Sequence, residues 1–178
     1  MKVTLAALAL AAAGTAFAEP TVSIQGVRDT RYDNVTGYSL GISAPVAGIK
    51  LVGKFDNVYG APGTNYDSLY GGVEKEVASF KGIRLGLSGG VGYLETPVGN
   101  GHFGRVGTTV SYNFRPDLNA YIGGERTLGA SAVNSLDATE GFVGADYSLN
   151  KQFQLNGKVT FGDGIPGAKY QGGVSYKF

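Results

Sequence analysis

The sequence predicts an all-β fold, an antiparallel up-and-down transmembrane β-barrel of ten strands. Three observations carry that expectation. Apolar and polar residues alternate with period two in one run after another, and no stretch after the first residues has the i, i+3, i+4, i+7 apolar spacing of a helix. Prolines fall between the runs, as they must if the runs are laddered strands. The composition joins 30 glycines to 11 tyrosines and 9 phenylalanines, a mixture that neither disorder nor a collagen repeat explains.

The first 18 residues stand apart from this pattern. Lys2 precedes an apolar run from Val3 to Ala13, and Ala16-Phe17-Ala18 then puts small residues at the two positions a signal peptidase reads. The run is too short for a spanning helix, which needs roughly 20 residues. Residues 1–18 are therefore expected to be a secretory signal cut before Glu19, leaving 19–178 as one domain without linker or low-complexity tract. Removal of Lys2 leaves 14 basic against 14 acidic side chains. That balance argues against a nucleic-acid partner. The chain has no cysteine, so an exported fold must hold without disulfides.

The elements follow in order. Weaker alternation covers Thr21 to Thr30, Tyr38 to Ala44, Ile49 to Val58 and Leu69 to Glu76. The last of these is disturbed by Glu74-Lys75-Glu76. A clear run sets Ile83, Leu85, Leu87, Gly89, Val91 and Tyr93 against polar or small residues, and another sets Val106, Thr108, Val110, Tyr112 and Phe114 against Arg105 to Asn113. Leu118 to Thr127 and Gly141 to Leu149 are weaker. Phe153, Leu155, Gly157, Val159 and Phe161 alternate with Gln154, Asn156, Lys158 and Thr160, and the chain ends on Tyr170, Gly172, Val174, Tyr176 and Phe178. If two weak runs are loops, eight strands remain.

The connections are short at Pro45 to Gly48, Val77 to Gly82, Arg115 to Asp117 and Asn150 to Gln152. They are longer at Arg28 to Gly37, Tyr59 to Asp67, Glu95 to Phe103, Leu128 to Thr139 and Gly162 to Ala168. Short turns on one side and long loops on the other are the pattern of a bacterial membrane barrel, with the short side periplasmic. Aromatics gather at strand ends, Phe80, Phe114, Phe153, Tyr176 and Phe178 on the short side, and Tyr32, Tyr38, Tyr59, Tyr66, Tyr93, Phe103 and Phe161 on the long side. Those are the levels of the membrane interfaces.

The residues opposite the apolar face decide between a membrane and a soluble barrel. They include Lys54, Asp56, Glu74, Arg84, Arg105, Glu125, Asp146 and Lys158. An apolar soluble core would hold so many charges only at great cost. A narrow polar lumen holds them by pairing the four basic with the four acidic groups across it, which predicts an occluded interior. A local basic excess would instead leave a narrow ion-selective path.

The ending Tyr170, Val174, Tyr176 and terminal Phe178, taken with the signal and the alternating runs, resembles the small Gram-negative outer-membrane β-barrel proteins. Size and architecture are similar to the opacity-type and outer-membrane protein A-type barrels, which have eight strands. No motif ties the chain to a specific family. The resemblance implies location in the outer membrane of a Gram-negative bacterium, contact with outer-membrane lipids, and those four residues as the membrane-insertion signal read by the barrel-assembly machinery.

Enzymes built on such barrels need convergent polar groups at the outer rim. The chain offers one histidine, His102 in Gly99-Asn100-Gly101-His102-Phe103, with Glu95 the nearest loop carboxylate in sequence. The lipid A deacylase pattern of a serine two positions after histidine is not met, since position 104 is Gly. Ser131, Ser135 and Asp137 are the loop groups a palmitoyltransferase-like site would draw on. No catalytic residue is expected, nor any cofactor, and no Cys/His cluster or calcium-ligand spacing suggests a metal. Gly86 to Gly92 is not a phosphate loop, because no helix follows it. The functional expectation is a structural or surface-interaction protein with a charged, occluded lumen. A porin-like channel for small polar solutes or ions stands as the alternative, and an outer-membrane lipid-modifying enzyme or protease as the weaker one.

Overall fold

The protein is described by a computed structural model covering residues 19–31, 34–60, 65–97, 99–130, 137–162 and 166–178. The signal, Tyr32, Pro62, Ser131 and Ser135 lie outside the described residues. Ten strands follow one another, β1 (Thr21–Asp29), β2 (Val35–Val46), β3 (Ile49–Tyr59), β4 (Tyr66–Phe80), β5 (Ile83–Thr96), β6 (Gly99–Arg115), β7 (Leu118–Ala130), β8 (Ala138–Ser148), β9 (Phe153–Gly162) and β10 (Lys169–Lys177). Each pairs antiparallel with the next, and β1 closes the ring against β10 from Thr21↔Lys177 to Asp29↔Lys169. The eight-strand alternative is thereby set aside.

Several strands run further than their side-chain pattern indicates. β4 does not stop at Glu76 but continues to Phe80, because a bulge between Glu76 and Ala78 shifts the register by one residue. The extra residue reverses the phase of the alternation, so Ala78 pairs with Leu85 and Phe80 with Ile83 on the outward face. The short connection shrinks to Lys81-Gly82, both with positive φ. Pro45 lies inside β2 rather than in a turn, at its penultimate residue, where it pairs with Lys50 beyond the last β1 partner, Ser43. Ala47 and Gly48 then make the hairpin with φ of 49° and 81°, the signs a type I′ turn requires.

The long connections are correspondingly shorter. The segment Glu95 to Phe103 is no loop: β5 and β6 run on to the pair Thr96↔Gly99, and His102 sits in β6 opposite Tyr93. Backbone ladder bonds need no apolar side chains, so a Gly-Asn-Gly stretch extends a hairpin that periodicity does not reveal. β2 likewise begins at Val35, β4 at Tyr66 and β8 at Ala138.

The outward face is apolar, with Ile24, Leu69, Val91, Val106, Ile122 and Leu155 all well exposed. Cations interrupt it, among them Lys75 beside Leu87, Arg126 beside Val106 and, at the loop end, Arg28 beside Tyr170. Their long apolar stems allow the charge to reach an interface. At the end carrying the short turns, Phe153, Tyr176 and Phe178 stack edge to face at 5.0 and 4.8 Å, and Tyr112 meets Phe114 at 4.9 Å. At the loop end Tyr59, Phe161 and Tyr170 are exposed. Tyr66 and Phe103, expected in that girdle, turn inward instead: Phe103 is buried and Tyr66 packs on Val27, Val35 and Val58. Their parity within β4 and β6 places them on the lumen face, which position at a strand end alone does not indicate.

Inward glycines seat the inward aromatics. Tyr70 lies over Gly72 and Gly90, Phe103 over Gly92, Phe142 over Gly123 and Tyr121 over Gly144, so close that a Cβ at any of these glycines would overlap the ring. A flat ring on bare backbone shields ladder bonds and fixes local register. A Cβ at Gly90 would also come 2.7 Å from Gly72 Cα. Gly90→Val is expected to lower stability by about 2 kcal/mol, read from the urea midpoint of reversible unfolding in micelles. Gly71, with nothing within 4 Å of its would-be Cβ, is the control, and Gly71→Ala should change the midpoint by less than about 0.5 kcal/mol.

Candidate functional site

All eight charged residues singled out from the sequence sit on the lumen-facing parity of their strands, in phase with the residues lining two polar cavities or bonded across the interior. Their distribution along the barrel is uneven, and three levels can be described.

At the loop end the interior holds a buried ion triad. Arg31, in the connection after β1, donates Nε to Asp29 Oδ1 at 3.0 Å and Nη2 to Asp29 Oδ2 at 2.8 Å. It reaches across the barrel mouth to pair with Glu140 of β8. The Arg31, Asp29 and Glu140 side chains are 5%, 1% and 16% exposed. Burial works against the charged guanidinium, but the bonds to Asp29 and Glu140 more than offset it and raise its pKa above the ordinary value. Arg31 therefore stays charged at any working pH. The same connection is tied to the last long one, since the Thr30 hydroxyl donates to Ala168 O at 3.0 Å and the Thr30 N–H donates to it at 2.9 Å. Just beneath lie the buried Val27, Val35 and Val58 with Tyr66.

The middle level carries most of the charge. Asp56 bridges Lys54 at 3.1 Å and Lys169 of β10 at 3.5 Å. Lys169 also donates to the Tyr66 hydroxyl at 3.3 Å. Glu125 and Glu140 are direct cross-strand partners, an arrangement that repels unless each is neutralised. Arg105 does so for Glu125 at 3.6 Å, as Arg31 does for Glu140. The Arg105 guanidinium rests 5.3 Å from the centres of both the Tyr70 and Phe103 rings and donates to Thr127 Oγ1 at 3.3 Å. Lys158 places its ammonium 4.0 Å over the Phe142 ring.

Toward the turn end the lumen widens. A cavity of about 700 Å³ reaches from the β2–β3 turn at Gly48 to Glu125 and Lys158. A second of about 330 Å³ adjoins it, lined by Lys54, Arg105, Lys158 and Ser175 among others. Glu74 pairs with Lys50 at 2.8 Å, both half exposed. Arg84 donates to Asn113 and Asn119 at 2.9 and 2.8 Å, and Asn119 donates to Asp146 at 3.5 Å.

Of the expected basic–acidic pairings, Lys54–Asp56 and Arg105–Glu125 are formed. Glu74 takes Lys50, Arg84 and Asp146 meet asparagines, and Lys158 meets an aromatic ring. Lys50 and Lys169 join the inward charges, sharing strand parity with Lys54 and Gln171. Lys50 already falls on the inward parity of the Ile49 to Val58 run, and extending the last run by one residue reaches Lys169. Arg31 lies beyond a strand, where period two says nothing. His102 stands on the outward face with its ring 5.3 Å from that of Tyr93, apart from the lumen groups. Tyr170, Val174 and Phe178, expected as part of an insertion signal, all face outward and are exposed. Tyr176 shares their parity and packs between Phe153 and Phe178.

No protein-family model matches the sequence, and no curated protein matches it. Among solved structures the chain is similar to a NanC porin, with TM-score 0.52 and 10% identity over 88% of this chain and 100% of that one. It is also similar to a KdgM porin in complex with disordered oligogalacturonate, with TM-score 0.50 and 14% identity over 89% and 99%. The fold is that of the outer-membrane β-barrels.

Removing the Arg31 guanidinium would strand two largely buried carboxylates. Arg31→Ala should cost about 3–5 kcal/mol, measured by urea unfolding of the refolded barrel, and Arg31→Lys should recover part of that loss.

Proposed function

We propose that this chain is an exported, integral barrel of a Gram-negative outer membrane, with residues 1–18 removed, and that it serves a structural or surface-interaction role without catalysis. The lumen is closed on the exterior side and open to the periplasm. The observation that carries this reading is the buried layer at the loop end, where Asp29, Val35 and Val58 are 0%, 0% and 1% exposed and Arg31 is held against Asp29 and Glu140. An apolar cluster backed by an ion triad supports closure at that level, because apolar side chains cannot replace the hydration shell of an ion. His102, outward and apart from the charged lumen, supports the non-catalytic side of the proposal.

A narrow porin-like channel is the second reading, favoured by the two adjoining polar cavities and by the porins among the similar folds. Single-channel recording of the purified, refolded protein in planar bilayers separates the two. The closed reading expects a flat trace from the wild type. Stepwise openings of the wild type whose size changes in Arg105→Ala would establish the channel instead.

The same proposal assigns lipid contact to the outward belt and assembly-machinery recognition to Tyr170, Val174, Tyr176 and Phe178. Deleting Phe178 should lower the amount of folded barrel recovered from membranes of living cells, while leaving refolding of the purified chain into micelles nearly unchanged. Equal loss in both settings would show that the residue acts only through stability.

A further inference from the structure

The middle level of the lumen has more cations than anions. Taken with the triad above, five cations, Arg31, Lys54, Arg105, Lys158 and Lys169, meet four carboxylates, Asp29, Asp56, Glu125 and Glu140, an excess of one positive charge. Asp56 serves both Lys54 and Lys169, and Glu125 serves Arg105. Lys158 is left with an aromatic face at 4.0 Å and no hydrogen-bond acceptor or ion partner among the described residues. The remaining carboxylates on the cavity walls, Glu74 and Asp146, are engaged lower down with Lys50 and Asn119.

An excess of positive charge beside a polar space of about 330 Å³ calls for a counter-charge, since a buried ammonium without one is costly. The walls there also supply the right donors. Lys54, Lys158 and the planar guanidinium of Arg105 line one cavity together with Ser39, Ser175 and Tyr70, and the carboxylates Glu74, Glu125 and Asp146 on its walls are each engaged by Lys50, Arg105 or Asn119. Point-charge ammonium groups, a guanidinium fork and hydroxyls are the set that recognises an oxyanion. The wider cavity of about 700 Å³ connects this space to the turn end, sharing Lys50, Glu125 and Lys158 with it. An anion therefore has an entrance that does not pass the closed loop end.

We infer that the mid-lumen cavity is a binding site for a small oxyanion, a carboxylate or phosphate group admitted from the turn end, with Lys158 as its principal ligand and Arg105 and Lys54 completing the cradle. The site rests on the inward orientation of these three residues and not on the closure above them.

Inorganic phosphate is the probe. Refolded full-length protein in zwitterionic micelles is titrated with phosphate by calorimetry, at constant ionic strength set with chloride. Saturable binding is expected, with a thermal midpoint that rises as sites fill. Lys158→Met should weaken binding by about tenfold, the loss of one charge-assisted contact, and Lys158→Arg should keep most of it. Because Lys158→Met relieves an unpaired charge, the barrel should fold, and its heat-modifiable gel mobility checks this. Absence of saturation in the wild type, or equal affinity in Lys158→Met, overturns the site. A conducting wild-type trace would end the closed-lumen reading yet leave the phosphate titration standing, so the two failures are distinguishable.

Discussion

Closure of the hydrogen-bonded ring is the constraint on which everything else in this molecule depends. A chain in hydrocarbon has no water to satisfy its N–H and C=O groups, so each strand must find a neighbour on both sides. Ten antiparallel strands achieve this only when β1 meets β10, and the nine consecutive partners from Thr21↔Lys177 to Asp29↔Lys169 make that joint. Closure fixes a narrow interior, and the narrow interior dictates its contents. Rings must lie flat on glycine rather than stand upright, as Tyr70 does on Gly72 and Gly90. Charges from distant strands are brought within bonding distance, as Lys169 of β10 is with Asp56 of β3.

The ring was legible in the sequence because its two faces differ so sharply. Period two survives wherever an apolar residue faces lipid and a polar one faces the lumen, and β5, β9 and β10 show it along nearly their whole length. It fades in two physical situations. At Glu76 the bulge adds a residue, so a correct alternation resumes in the opposite phase and looks like a break. At Gly99 to His102 the strand has left the apolar belt, and pairing continues on backbone bonds alone. Strand number and facing were therefore readable, and strand length was not.

The lumen was legible in part for the same reason. Parity identified which charges face inward, but partnership depends on shear between strands, which alternation does not encode. Lys158 illustrates the difference: its inward direction follows from Leu155, Val159 and Phe161 on the other face, whereas its position over Phe142 follows from the β8–β9 register. The latch at Arg31 is harder still, since the residue sits on a connection and its partner Glu140 is three strands away around the ring.

The mixed charges inside the barrel are a weak source of net stability, because ion pairs taken out of water gain little over an apolar filling. Their stronger effect is on register. Sliding one strand by a single residue exchanges its two faces. For the strands bearing Lys54, Arg105, Lys158 and Lys169, such a slip would present each cation to lipid, at about 2–4 kcal/mol apiece near the midplane. A mistake shared by all four strands would thus cost on the order of 10 kcal/mol, comparable to the whole stability of a typical domain. An apolar filling would give no such discrimination, since both faces of every strand would then suit lipid equally well. The charged interior is therefore what makes one register of this barrel distinguishable from its neighbours, and the outward cations Lys75 and Arg126 carry long apolar stems along which the charge can extend away from the hydrocarbon.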